Sequence, residues 1–277
     1  MIIRYKDSWS KIDRDITFVL NFYTTQIFFS GSLYRKDCLT FVPHLHDRPM
    51  SDTIVIQTTD DGVPTLYLPG LDEHYHSTKG ALTEARYVYI DMALRARDKR
   101  NVDLLEVGFG TGLNAWLTLL EAQERGLHIR YTAFELYPLD PEVADRLDYP
   151  ARIAPQQSPA FARLHRCEWD RPVEIAPNFT LLKRHADLTR TPVEGLYDVV
   201  YFDAFAPEKQ PEMWSESIFR TLYDHLAPGG ILTTYCAKGE IRRRLQSIGF
   251  TVERLPGPPH GKREILRASK PNGPTHK

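Results

Sequence analysis

The chain has 277 residues, of which 42% are hydrophobic and 26% are charged, and its formal net charge is −1. It is long enough for one large domain or two smaller ones, and its near-zero charge excludes attraction of nucleic acid by the molecule as a whole. A nucleic-acid partner must therefore be held by a local basic patch. Three widely spaced cysteines without a CxxC pair favour neither a disulfide framework nor a zinc site, and they predict a reducing compartment, the cytoplasm.

Residues 1–49 match no recognisable pattern and are predicted to be an N-terminal extension. A segment from Ile16 is similar to the apolar region of a signal peptide, but polar residues interrupt it and it is too short to span a bilayer. We therefore expect no membrane association. Met50 is a candidate start of the functional chain, because a strand, an Asp-Gly turn and a second strand are predicted directly after it. Residues 50–100 are predicted to hold this hairpin and a helical entry segment.

From Val102 onward, apolar runs of strand length alternate with amphipathic segments, which is the pattern of a mostly parallel sheet covered by helices on both faces. This pattern predicts a Rossmann-like α/β domain over residues 101–270. The seven predicted strands are Val102–Val107, Ile129–Glu135, Phe179–Lys183, Tyr197–Asp203, Gly230–Cys236, Thr251–Leu255 and Arg263–Ala268. The main predicted helices are Leu113–Arg125, Pro141–Leu147, Ser215–His225 and Lys238–Ile248.

Two features complete this predicted order. The last two strands are joined by a loop too short for a crossover helix, so the final hairpin is expected to be antiparallel. The proline-rich residues 149–178 are expected to form a surface insertion with one short helix, near Ala160–Cys167.

Three glycines in five residues follow the first strand of this domain and directly precede its first helix. Such a turn brings the main chain and the N–H groups of a helix N-terminus close to a nucleotide-like ligand. A dinucleotide-binding turn has the spacing G-x-G-x-x-G, but Leu113 stands at the third position, and the observed G-x-G-x-G is the spacing of S-adenosylmethionine-dependent enzymes. The candidate cofactor-binding residues of this loop are Gly108, Phe109, Gly110, Thr111 and Gly112.

Two acidic residues at the ends of later strands fit the adenosine part of such a cofactor. Glu135 ends the second strand, where a carboxylate can accept hydrogen bonds from both ribose hydroxyls; an exposed loop carboxylate is the alternative. Asp187 follows the third strand, where it can accept the adenine amino group or act as an ordinary helix cap. With the Pro-Gly-Gly turn before the fifth strand, these features predict a class I S-adenosylmethionine-dependent methyltransferase.

Asp203 is predicted at the carboxyl end of a central strand, the edge where open α/β sheets place their reacting groups. The residues that follow offer backbone carbonyls and the ring of Phe205, which suits a nitrogen nucleophile attached to a planar base. A buried aspartate that ties a loop together is the alternative. Since its reference pKa of about 3.9 is far below that of a primary amine, we interpret Asp203 as orienting the amine and stabilising its developing positive charge. Asp203 and Phe205 are the candidate catalytic residues.

Five segments carry a family resemblance: VGFGTGLN, FELYP, YFDAFAPEKQPEMW, LAPGGILTTY and GKREIL. Together they resemble the methyltransferase half of the bifunctional MnmC-type tRNA-modifying enzymes, over roughly residues 51–267. The segment Tyr75–Ile90 is similar to the entry segment of that family, in which equivalents of Gly80, Glu84 and Arg86 recur. On this resemblance we assign Glu84 to the cofactor and Tyr75 to the substrate.

The resemblance implies methylation of the 5-aminomethyl group of the wobble uridine in the anticodon stem-loop of tRNA, commonly on a 2-thiolated base. In the bifunctional enzymes a flavin-dependent domain follows and frees the aminomethyl group. This chain is similar to the stand-alone form, so we expect no FAD and no metal, and other enzymes would supply the aminomethyl group. His185 departs from the family pattern, which has a glycine shortly before Asp187.

Basic residues dominate the chain from Lys238 to its end, and this segment is the natural docking surface for tRNA. Lys262 and Arg263 are the candidate phosphate contacts. The arginines of the helix that begins at Lys238 equally fit a solvated face. Phe205 or Trp214 is a candidate for stacking on a flipped uracil, and a core position is an equal alternative for Trp214.

Two other functions fit the same residues. One is a methyl- or aminopropyl-transferase acting on a small amine, and the other is an S-adenosylmethionine-binding RNA module without catalysis, which the position of Asp203 disfavours. Two histidine pairs, His44 with His46 and His74 with His76, could begin a metal site, but no third ligand is convincingly placed.

Overall fold

The computed structural model describes residues 54–272. Its first part is a three-stranded antiparallel sheet of β1 (Val55–Thr58), β2 (Pro64–Leu68) and β3 (Glu73–His74). Gly62, at φ +81°, forms the turn between β1 and β2, where the sequence predicts an Asp-Gly hairpin. The apolar segment from Ile16 and the candidate start at Met50 lie outside the described residues.

A continuous helical segment leads from this small sheet to the main domain. It consists of α1 (Ala81–Ala85) and a π-helix (Arg86–Leu94), a rare geometry that is often found at functional sites. Asp61, in the β1–β2 turn, accepts hydrogen bonds from the N–H and the hydroxyl of Thr83 at 2.9 and 3.0 Å. The hairpin thus satisfies the first turn of α1 from outside the helix, and it fixes where the helical segment begins.

The main sheet has eight strands in the order β10-β11-β9-β8-β4-β5-β7-β6. Five strands, β9, β8, β4, β5 and β7, are parallel, and the remaining three are antiparallel to their neighbours. The strand bounds are β4 Asn101–Val107, β5 His128–Glu135, β6 Pro172–Ala176, β7 Phe179–His185, β8 Tyr197–Phe202, β9 Leu226–Thr234, β10 Thr251–Pro256 and β11 Glu264–Ser269. The predicted class, a mostly parallel sheet with an antiparallel final hairpin, is confirmed.

Six α-helices complete this domain within the described residues. They are α2 Leu113–Arg125, α3 Pro141–Arg146, α4 Tyr149–Ile153, α5 Ser158–Arg166, α6 Glu216–Asp224 and α7 Gly239–Ile248. Their ends carry the signals that the sequence offers: α2 is followed by Gly126 at φ +65°, and Asp140 accepts a hydrogen bond from the Glu142 N–H at the start of α3. Adjacent strand residues such as Leu104 and Leu105 point to opposite faces of the sheet and belong to separate buried clusters. Helices therefore pack on both faces of the sheet.

The structure differs from the prediction at residues 149–178. The predicted surface insertion contributes β6 as an eighth strand, and α5 packs into the core instead of lying on the surface. Phe161 of α5 is 3% exposed and lies edge-to-face against Trp116, with ring centroids 5.4 Å apart. The short helix predicted near Ala160–Cys167 is present as α5. The many prolines favoured a surface position, although a proline such as Pro150 also fits a first helical turn.

We expect Phe161→Ala to lower the free energy of unfolding by about 3–5 kcal/mol, because the truncation leaves a cavity between α5 and α2. Urea denaturation measures the effect. The matched control is Arg163→Ala on the exposed side of the same helix, for which a change within about 0.5 kcal/mol is expected. Equal behaviour of the two variants would show that α5 is not part of the core.

Candidate active site

Gly108 determines how the carboxyl ends of β4 and β8 meet. The Asp203 N–H donates to the Val107 carbonyl at 3.0 Å, so the segments of β4 and β8 remain paired just past the end of β8. Gly108 has φ +91°, and a Cβ built on it would lie 2.7 Å from the main-chain oxygen of Asp203. Only glycine allows this approach, which places Asp203 beside the glycine loop.

The N–H groups of the glycine loop are bonded largely to the protein. Gly108 and Phe109 donate to the Phe134 carbonyl at 3.0 and 3.3 Å, and Gly112 donates to the Phe109 carbonyl at 2.8 Å. The expectation that these amides point at a ligand is therefore wrong for these three. Amides already used in this way suit a ligand without phosphate groups, which is the case for S-adenosylmethionine.

Glu135 joins the glycine loop to the end of β5. Its carboxylate accepts hydrogen bonds from the Gly110 N–H at 2.9 Å and from the Tyr137 N–H at 2.8 Å. Burial raises the pKa of Glu135, while these two amides favour its charged form. The Leu136 N–H also acts on this carboxylate, and since a carboxylate has about four acceptor sites, capacity for a ribose hydroxyl remains. The geometry fits the role that the sequence predicts for Glu135.

Asp187 holds the turn after β7. Its Oδ1 accepts from the N–H and the hydroxyl of Thr189 at 2.8 and 2.6 Å, and its Oδ2 lies 3.5 Å from the Arg190 Nε. The neighbouring His185 ring lies 5.8 Å from that of Trp169. These contacts stabilise a turn between β7 and β8 and do not cap a helix, because none begins there. Contact of Asp187 with adenine stays a prediction.

Asp203 is held by two side chains that the sequence did not single out. The Tyr89 hydroxyl donates to its Oδ1 at 2.6 Å, and the Asn114 Nδ2 donates to its Oδ2 at 2.8 Å. Burial raises the pKa of Asp203 to about 6, although both hydrogen bonds favour the carboxylate. The side chain is therefore charged at neutral pH and fixed in direction. The sequence did offer a signal for these two partners, since Asn114 and Tyr89 both lie in segments that carry the family resemblance.

A second carboxyl group lies beneath Asp203. Glu106 of β4 is fully buried, and desolvation raises its pKa well above the usual range. Asn114 and Tyr131 are the polar side chains that act on it, and the charge of Asp203 raises its pKa further. Glu106 is thus favoured in the neutral form, and it adds no second negative charge next to Asp203.

The main-chain carbonyls after Asp203 are used within the protein. The Tyr235 hydroxyl donates to the Ala204 carbonyl at 2.9 Å, and the Trp214 indole N–H donates to the Phe205 carbonyl at 2.7 Å. Each of these oxygens keeps a second acceptor site, so their use as acceptors for an amine stays a prediction. The Asp203 carboxylate is the acidic acceptor at this strand end.

The aromatic candidates fall into two groups. Tyr75 and Phe205 are half-buried, with ring centroids 5.2 Å apart in an edge-to-face arrangement, and Tyr75 also touches the loop at Gly110. Trp214 is 1% exposed and packs against Phe202, with ring centroids 4.9 Å apart. Stacking of Trp214 on a base is therefore wrong for this structure, because its faces are covered by the core.

Lys262 is directed toward the site, whereas Arg263 is exposed. The Lys262 Nζ lies 3.6 Å from the Glu84 Oε2 and 3.5 Å from the centre of the Tyr235 ring. Part of the basic C-terminal segment is also paired with carboxylates: Lys238 with Glu208, Arg254 with Glu264, and Arg267 with Glu253. Fewer basic side chains of the C-terminal segment are therefore available to a phosphate backbone than its amino-acid composition implies.

The histidines serve other roles among the residues that the structure describes. His74 bonds to Gln57, and His76 lies between the hydroxyls of Thr65 and Thr111 at 3.2 and 3.3 Å. Burial lowers the pKa of His76 to about 4, so it is neutral. Within residues 54–272 no three such side chains come together as a metal site, and none of the helices there has the length and apolar character to cross a bilayer. His44 and His46 lie outside this range.

Comparison with known proteins agrees with this geometry. Residues 178–271 match a family model described as S-adenosyl-L-methionine-dependent methyltransferase. The chain is 31% identical to the tRNA 5-methylaminomethyl-2-thiouridine biosynthesis bifunctional protein MnmC of Pseudomonas fluorescens, over 79% of this chain and 35% of the relative. The protein of the same name from Magnetococcus marinus is also 31% identical, over 81% of this chain and 35% of that protein. The chain thus spans about a third of the length of these relatives.

Among solved structures, MNMC2 from Aquifex aeolicus superposes with a TM-score of 0.62 at 23% identity, over 81% of this chain and 72% of that one. This superposition supports the fold. The family model, the two relatives and the arrangement of Glu135 and Asp203 around the glycine loop agree with one another. The chain contains an S-adenosyl-L-methionine-dependent methyltransferase domain of the MnmC type.

Proposed function

We propose that this chain methylates the 5-aminomethyl group of the wobble uridine in tRNA, giving 5-methylaminomethyluridine. The observation that carries the proposal is the Asp203 carboxylate, held by Tyr89 and Asn114 beside the glycine loop. A fixed anionic acceptor of this kind suits an amine nucleophile, and the relatives from P. fluorescens and M. marinus are named for 5-methylaminomethyl-2-thiouridine biosynthesis in tRNA.

Glu135 and Asp187 would hold the cofactor at the carboxyl ends of β5 and β7. Glu135 would accept the ribose hydroxyls with the acceptor sites that Gly110 and Tyr137 leave open, and Asp187 would lie near the adenine. When bound, S-adenosylmethionine supplies an activated methyl group on a sulfonium. That the chain needs no FAD stays a prediction.

Asp203 would orient the amine and stabilise the charge that develops on it. The carboxylate would accept an N–H of the amine, and it favours positive charge on nitrogen as the new bond forms. It is too weak a base to remove the proton from the ammonium form efficiently, because its pKa of about 6 is far below that of an alkylamine. The proton is lost to water. Phe205 and Tyr75 would pack against the uracil and exclude water around it.

Arg243 and Arg263 are the most suitable residues for contacts with tRNA phosphates. Both are exposed, and neither has a carboxylate partner among residues 54–272. Lys262, in contrast, is directed toward Glu84. Binding through such contacts weakens as the salt concentration rises, because released counterions drive it.

The direct test uses radiolabelled methyl donor and tRNA from cells that lack this methylation, followed by digestion and identification of the labelled nucleoside. We expect label in 5-methylaminomethyluridine or its 2-thio form. Label in a free small amine without tRNA would identify the small-amine transferase instead. Salt-sensitive tRNA binding without transfer would identify a non-catalytic binding module.

We expect Asp203→Asn to lower kcat at least ~100-fold, because an amide cannot stabilise the charge on the amine. Binding of S-adenosylmethionine, measured by calorimetry, should change little. Folding should not suffer, since removal of a carboxylate whose pKa is raised relieves its desolvation cost above pH 6. Asp98→Asn, an exposed change of the same kind, is the control. Near-normal turnover of Asp203→Asn would exclude the assigned role.

The pH dependence of single-turnover methylation offers an independent check. In the wild type, the rate should fall as the pH drops through about 6, because Asp203 becomes protonated. The Tyr89 hydrogen bond lowers the pKa of Asp203 in the wild type. In Tyr89→Phe this bond is lost, so the fall in rate should occur at higher pH. If the rate falls at the same pH in Tyr89→Phe as in the wild type, the titrating group is not Asp203.

A further inference from the structure

Glu84 is a buried carboxylate with unused bonding capacity. The residue is only 9% exposed, and its Oε2 has no hydrogen-bond partner among the residues that the structure describes. The nearest cation, the Lys262 Nζ, lies 3.6 Å away, which is ion-pair distance but beyond a hydrogen bond. A buried carboxyl oxygen without a hydrogen bond is costly, and this oxygen is open to a donor from a ligand.

The surroundings of Glu84 are those of a cation site. The Lys262 Nζ lies 3.5 Å from the centre of the Tyr235 ring, which is the geometry by which an aromatic face binds an ammonium group. The Tyr235 hydroxyl is fixed by its bond to the Ala204 carbonyl. The Lys262 ammonium group therefore lies between the Glu84 carboxyl group and the face of the Tyr235 ring.

This cation site adjoins the catalytic carboxylate. The charges of Glu84 and Lys262 both act on Asp203, and the charges of Asp203 and Glu84 both act on the Tyr235 hydroxyl. Lys262 comes from the loop between β10 and β11, and its side chain is 42% exposed. It can leave the site without any change in the core.

We propose that Glu84 and Tyr235 bind the ammonium form of the substrate's 5-aminomethyl group, and that Lys262 occupies this site when no substrate is present. The inference rests on the proposed function. It assigns Glu84 to the substrate rather than to the cofactor. It also provides specificity, because an unmodified uridine carries no cation to replace that of Lys262. After binding, the ammonium loses its proton to water, and the neutral amine turns to Asp203.

The test compares two anticodon stem-loops, one with 5-aminomethyluridine and one with uridine at the wobble position, by fluorescence anisotropy. We expect the wild type to bind the aminomethyl form at least about tenfold more tightly, a difference of about 1.4 kcal/mol. Glu84→Gln should remove this preference and leave the affinity for S-adenosylmethionine unchanged. Glu174→Gln, on the exposed face of the edge strand β6, should behave as the wild type.

The variant Lys262→Met tests whether Lys262 occupies the cation site only in the absence of substrate, which we call its placeholder role. Because this variant has no cation to displace, its preference for the aminomethyl stem-loop should increase. The control is Lys270→Met, since Lys270 also lies over a tyrosine ring, 4.8 Å from the centre of Tyr223, at the far end of β11. Loss of the preference in Lys262→Met would make Lys262 a substrate ligand and overturn the placeholder role.

The outcomes separate the two proposals. A wild type that methylates tRNA but shows no preference, or a Glu84→Gln variant that keeps the preference or loses cofactor affinity, overturns the inference and leaves the proposed function intact. A wild type that transfers no methyl group to tRNA overturns the proposed function itself.

Discussion

The close approach of Gly108 to the main-chain oxygen of Asp203 sets the geometry of the whole site. A side chain at position 108 would collide with that oxygen, so the loop after β4 and the end of β8 can lie together only with glycine there. The same approach puts Asn114, at the start of α2, within 2.8 Å of the Asp203 carboxylate. The loop that defines the cofactor side therefore also positions the residue assigned to the chemistry.

Burial and hydrogen bonding treat the carboxyl groups at this edge of the sheet differently. Glu106 is favoured as the neutral acid by burial, whereas Asp203 keeps its charge at neutral pH because Tyr89 and Asn114 donate to it. Among residues 54–272, the ion-pair partner of Glu84 is Lys262, at a distance too long for a hydrogen bond. Burial of carboxyl groups costs folding free energy, and such groups are typical of functional sites.

Much of the site was predicted from the sequence because local rules fix it. The spacing of the glycines, an acidic residue at the end of β5 and an aspartate at the end of β8 follow from strand length and turn chemistry. Tyr89 and Asn114 escaped notice, because a tyrosine in a helical segment and an asparagine after a glycine turn each have ordinary local explanations. Trp214 was misjudged for a related reason, since sequence alone does not distinguish a buried aromatic ring from an exposed one.

The class of sheet, the glycine loop and the positions of Glu135 and Asp203 at strand ends could be predicted from the sequence, because alternation of apolar runs and glycine spacing are local signals. Which side chains reach those two carboxylates depends on how the chain folds. Tyr89 is 114 residues from Asp203 and Asn114 is 89 residues away, so chain folding alone brings them into contact. The same holds for Lys262 and Glu84, whose pairing depends on the final hairpin returning to the entry helix.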